Sequence, residues 1–227
     1  MTVVCGIYGY QTTRPIDLPG MRIEPRTCDY SLAKEWARDL DTYQLTAILT
    51  GALISSDLIF QLEATLSFVE HLDVVISSPL EAEGKDLFTQ FPPSIQTHRR
   101  NNGGGATIQE DTFFHTSRSL FISKTLDRLQ NKEFCEQTKF NILFFKSVEP
   151  FRQRKPFIEI TYFLLYSGLE SYARSVIEDH ISRNSSKPIC ELLTRYGFDV
   201  QIEKPDDLPR RWQPTPTSAM PFFTIAN

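Results

Sequence analysis

In "GLESYARSVIEDH", residues 168–180, three side chains are of types that could act on a phosphodiester: Glu170, Arg174 and His180. An Arg can clamp a phosphate and neutralise charge that builds up in the transition state. A His can take and return a proton near neutral pH. With Glu170 orienting Arg174, the trio would suit RNA cleavage. The spacing also gives a plainer reading. Glu170 and Arg174 are i, i+4, and so are Arg174 and Glu178. Such pairs are solvated ion pairs worth roughly 0.3–0.5 kcal/mol each. Arg174 and His180 are six apart, which sets them about 120° apart around a helix. A His near a helix C-terminus also suits the helix dipole. The spacing therefore favours a charged helix end, unless the helix unwinds near Asp179 and brings Arg174 and His180 together.

Other residues with chemical potential are more isolated. His71, His98 and His115 have no ligand at metal spacing, so no metal or other cofactor is expected. The four cysteines, at 5, 28, 135 and 190, form no C-x-x-C pair. They read as reduced thiols rather than a zinc site or redox dithiol. Gly103–Gly105 lack the spacing of a phosphate-binding loop and read as a flexible connector. "THRR", 97–100, and "RRW", 210–212, are small basic spots, too short to make a nucleic-acid surface.

The elements that must position these residues fall into two halves. "TVVCGIYGY" is β-branched and aromatic, and "PIDLPGMRIEPR" holds a Pro-Gly turn between short apolar pieces, which predicts a hairpin. Asp29 or Ser31 can cap a helix over "SLAKEWARDL", and Ser55 or Ser56 one over "SSDLIFQLEATLSFVEHL". In the second helix Leu58, Leu62, Leu66 and Val69 form one stripe. "YQLTAILTGAL" fits strand or helix, and "DVVISSP" a short strand ended by Pro79. Residues 79–111 lack periodicity, carry strong breakers and read as a linker.

Beyond the linker the pattern is helical. Ile122, Leu126 and Leu129 mark one helix, and Phe140, Phe144, Val148 and Phe151 a second. A third starts near Pro156 and is apolar almost all round in its first half, which predicts a buried central helix. A fourth places Ile189, Leu192, Leu193 and Tyr196 together and stops at Gly197. Short connections favour antiparallel neighbours. The fold class is α+β, mostly α: an N-terminal β-containing domain (1–78), a linker (79–111), an antiparallel helical bundle (112–197) and an irregular tail (198–227).

The formal net charge of −4 argues against phosphate-backbone binding by the whole surface. The N-terminus has neither the basic region nor the apolar core of a signal peptide, and no apolar run approaches a membrane span. A cytoplasmic protein with no membrane partner is expected.

"FNILFFKSVEPFRQRKPFIEITYFLLYSGLESYAR" resembles the HEPN superfamily of helical-bundle domains: a helix, a short basic link, then an aromatic-rich helix with a "GLE" step near its middle. The resemblance covers roughly Thr138 to Gly197. It implies a homodimer through the bundle, RNA as partner, and metal-independent endoribonuclease activity of the kind found in bacterial defence and toxin systems. Active members use an R-x4–6-H motif, commonly beginning Arg-Asn, on a helix after the one that carries the Glu. Arg174 and His180 meet the spacing, but Ser175 stands where Asn is common, and the pair shares its helix with Glu170. By chain order the motif belongs after "ELLTRYGF". The tail there, "DDLPRRWQPTPTSAMPFFTIAN", has four Pro and no helical stripe. Each internal Pro costs about 3 kcal/mol in a helix.

With permitted codons and a one-step change of frame, "RWQPTPTSAMPFFTI" can spell V-A-T-Y-A-Y-L-R-N-A-L-F-H-N-S, a helix carrying R-N-x-x-x-H. The expectation is a truncated or frameshifted HEPN-like protein, inactive because its catalytic helix is missing, with no catalytic residue assigned. The alternatives are an active ribonuclease using Arg174 and His180, and a non-enzymatic dimerisation or interaction module.

Overall fold

A computed structural model describes residues 2–10, 12, 14–70, 73–82, 86–96, 115–152, 157–184, 186–203 and 222–225. The architecture is α+β and mostly α, with an antiparallel seven-stranded sheet and seven helices among the described residues. The central strands are β1 (Thr2–Tyr8) and β4 (Thr42–Gly51), paired from Val3↔Gly51 to Tyr8↔Leu45. "YQLTAILTGAL", open to either reading in sequence, is therefore largely strand. β4 is flanked by β1 and by β3 (Met21–Pro25), and its backbone groups are met on both edges. The hairpin of β2 (Ile16–Leu18) and β3 turns at Gly20, whose φ of 73° favours glycine. β5 (Val75–Ile76) pairs with one end of β1.

The two predicted N-terminal helices form as α1 (Tyr30–Asp39) and α2 (Ser56–Glu70). Asp29 caps α1 by accepting from the Leu32 amide, and Ser55 Oγ accepts from Leu58 at the start of α2. Leu62, Leu66 and Val69 of α2 are buried against Cys5, Ile7 and Ile23 of the sheet.

Part of the expected linker belongs to the sheet. β6 (Leu80–Ala82) pairs with β1, and β7 (Ser94–Gln96) pairs with β4. Between them Leu87–Gln90 forms one 3-10 turn. Phe88, Phe91 and Ile95 cover Val4, Tyr8, Tyr43 and Leu45 on the sheet face opposite α2. Val4 to Tyr8 of β1 are buried on both faces, so something had to cover the second. Breakers and weak periodicity gave no sign of this because the strands are three residues long. Residues 97–114, with Gly103–Gly105 and "THRR", lie outside the described residues, as do His71 and "RRW" at 210–212.

The C-terminal half holds α3 (His115–Gln130), α4 (Lys132–Thr138), α5 (Phe140–Arg152), α6 (Ile158–Ile177) and α7 (Ser186–Arg195). Ile122 and Leu126 of α3 enter the same core as the sheet and α2. Ala64 and Phe68 of α2 pack with Leu129, Phe144 and Val148. A boundary at 78 therefore does not separate two cores, because α2 serves both. Within the tail, β8 (Val200–Glu203) and β9 (Phe222–Ile225) pair antiparallel, and residues 204–221 lie outside the described part.

The expectation of a buried central helix is corrected. Only Gly168 and Ala173 of α6 are fully buried. Ile158 is 81% and Phe163 60% exposed, and Phe157, Ile160, Tyr162 and Leu165 are exposed with them. α7 packs on the second half of α6, where Ala173 meets Ile189 and Leu192. The first half extends past that cover.

Candidate functional site

Gly168 sets the close approach of α6 to α5. A Cβ at this position would lie 3.2 Å from Leu143 Cα, a backbone atom that cannot rotate away. One residue earlier, Ser167 Oγ accepts from Lys146 Nζ at 2.9 Å. The "GLE" step is thus a packing feature in which glycine brings two helices together, with Glu170 half a turn beyond.

Arg174 makes three hydrogen bonds at the end of α6. Its Nε donates to Glu170 Oε1 at 2.9 Å. Its Nη1 donates to the carbonyls of Asp179 at 3.1 Å and Ser182 at 3.0 Å. The helix stops because Glu178 takes a left-handed conformation, φ 61°, and its amide bonds back to the Arg174 carbonyl. The chain then reverses, and the Asp179 carboxylate accepts from the amides of Ser182 and Ile181. These bonds favour the charged carboxylate and lower its pKa, led by the Ser182 amide; Lys187 and Arg174 add to the effect.

The structure therefore joins Glu170 to Arg174 and leaves His180 apart. His180 is exposed in the loop beyond the helix end and is not a partner of Arg174. Glu178, the expected i, i+4 partner, has left the helix. Arg174 holds a helix terminus and its return loop, with Nε on Glu170 and Nη1 on two backbone carbonyls. Helical spacing showed the Glu170 pair. It could not show the carbonyl bonds, which depend on the chain reversal after Glu178.

Sequence reasoning also missed a buried ionic cluster. Arg118 of α3 pairs with Glu70 of α2 at 3.0 Å, and both are nearly fully buried. The Arg118 guanidinium also reaches the Tyr10 hydroxyl at 3.3 Å and lies over the Tyr10 ring. Arg152 of α5 faces Glu63 at 3.6 Å and Asp73 at 3.9 Å. Glu63 Oε2 also accepts from the Ile76 amide at the start of the sheet edge. The signal was present: Glu63 and Glu70 are seven apart on α2, beside the Leu62–Leu66 stripe. These pairs tie together α2, α3, α5 and β5. Among the described residues no group of three or more His, Cys, Asp and Glu could hold a metal.

Burial works against nucleophilic chemistry at three of the thiols, Cys5, Cys135 and Cys190. No disulfide joins the cysteines, and burial pushes the Cys5 thiol up to about 11. Burial also raises Cys135 and Cys190. Thiolate is the reactive form, so these groups are suppressed near neutral pH.

Among the described residues the first half of α6 carries several exposed large apolar side chains. From Phe157 to Leu165 the sequence "FIEITYFLL" carries one acid, Glu159, and no base. Tyr162 stacks on Tyr166 with ring centroids 6.0 Å apart. Among the described residues no helix is long and apolar enough to cross a membrane. Comparison with known proteins adds no relative: no family model, no curated protein and no solved structure matches this chain.

Proposed function

We propose that this chain is a HEPN-like helical-bundle interaction module that self-associates through the first half of α6 and does not cleave RNA with Arg174 and His180. The observation that carries the reading is the exposed apolar surface of Phe157, Ile158, Ile160, Tyr162, Phe163 and Leu165. Large exposed apolar side chains concentrated on one helix segment fit a protein–protein surface. RNA is a poor match for it, because phosphates need Lys or Arg and this stretch has neither. A second copy presents the same apolar helix, and a two-fold contact would cover both at once. The dimer implied by the HEPN resemblance agrees with this choice.

The ribonuclease alternative is weakened by the three hydrogen bonds that occupy Arg174. Sedimentation velocity of the native chain beside Phe163→Lys, with an RNA cleavage assay beside His180→Ala, tests both parts. The expected result is a dimer that Phe163→Lys converts to monomer, and no cleavage in either His180 form. His180 is exposed, so its substitution leaves folding intact. RNA cleavage by the native chain that disappears in His180→Ala would overturn the non-catalytic reading.

A further inference from the structure

α3 and α5 leave between them a pocket of about 550 Å³. That lies within the roughly 300–1,000 Å³ of small-molecule sites. Its wall is formed by Phe68 of α2, Phe121 of α3, and Leu143 and Phe144 of α5. The Phe68 ring stacks on Phe121 at 5.8 Å and meets Phe144 at 5.7 Å. The rings hold one another in place, so the wall is preformed.

One border of the pocket differs in kind. Lys124 and Arg128, one turn apart on α3, both line it. Neither is paired with a carboxylate among the described residues. Arg128 lies over the rings of Phe134 and Phe140, 5.7 and 5.8 Å from their centroids, which fixes a long side chain at the rim. In a chain of net charge −4, two unpaired cations beside an aromatic wall are a local reversal of sign.

We propose that this pocket binds a small amphipathic carboxylate, an alkyl or aryl body ending in one carboxylate group. The apolar body lies against Phe68, Phe121, Leu143 and Phe144. The carboxylate meets Lys124 and Arg128, whose charge-assisted hydrogen bonds select an anion over a neutral or cationic molecule with the same tail. None of the lining residues belongs to α6. The site therefore stands apart from self-association through α6.

The test is calorimetric titration of the full chain with decanoate, and with decyltrimethylammonium as a cation of the same chain length. Decanoate is expected to bind at least about tenfold more tightly than the cation. Lys124→Glu, at an exposed helical position, should weaken decanoate by about tenfold, a loss of one charge-assisted contact. Ser117→Trp, at the pocket mouth, should abolish binding by filling the space. Phe163→Lys on α6 should leave the affinity unchanged. Circular dichroism confirms that each variant is folded. Equal binding of the two probes, no binding of decanoate, or decanoate affinity indifferent to both Lys124→Glu and Ser117→Trp would overturn the proposal.

Discussion

Arg174 and His180 show how little a residue type says until its donors are followed. The same Arg, aimed at an open cleft, would be a phosphate clamp. Here its guanidinium bonds Glu170 and two carbonyls of the return loop. The Glu170 pairing was legible because i, i+4 contacts follow from helix geometry alone. The loop contacts were not, because Glu178 is a non-glycine residue in a left-handed conformation that no sequence rule marks. Asp179 gives this local account a pH signature. Its pKa is lowered in the folded chain by the Ser182 and Ile181 amides. The stabilisation it provides is therefore present above the unfolded carboxylate value and is lost as pH falls through the lowered folded value. The Ser182 amide should keep constant hydrogen-exchange protection, corrected for intrinsic rate, between pH 6 and 8. It should lose protection in the acid range, and Asp179→Ala should lose it at every pH. Protection of Ser182 in Asp179→Ala equal to that of the native chain would contradict the assignment.

At the scale of elements, caps and stripes were the readable part. Asp29, Ser55, and the Leu62–Leu66–Val69 stripe place α1 and α2 where periodicity puts them. Strands of two or three residues, such as β5, β6 and β7, are too short to carry an alternating pattern. They form because the buried β1–β4 pair needs edges and a covered second face. α6 is the instructive case. Its apolar composition was clear in sequence, but its cover depends on where α5 and α7 end, which is a property of the fold. Gly168 is the point where α6 is fixed to α5. Gly168→Val should cost about 1–3 kcal/mol, because the added side chain meets the Leu143 backbone. Urea denaturation followed by circular dichroism measures it. A variant as stable as the native chain would mean that the two helices can separate there without loss.

For the whole molecule, the sheet and the helices form one folded unit through α2. Binary pattern suggested two halves with a linker, since each half has its own periodicity. The apolar contacts of α2 unite them, and so do side chains that pattern rules treat as surface: Glu63, Glu70, Arg118 and Arg152. Removing one partner leaves a buried charge unpaired, so Arg118→Met should cost roughly 3–5 kcal/mol, and Arg118→Met with Glu70→Leu should recover most of that loss. Thermal unfolding of the two variants tests this, and a double variant no more stable than the single one would show that the pair does not act as a unit. The same scale holds the central claim, that an exposed apolar helix makes this chain a self-associating module. The most direct measurement is the molar mass of the native chain by light scattering at micromolar concentration. The account predicts twice the 26.1 kDa of one chain, falling to one chain mass in Phe163→Lys. A native chain that scatters as a 26.1 kDa monomer across the concentration range would contradict it.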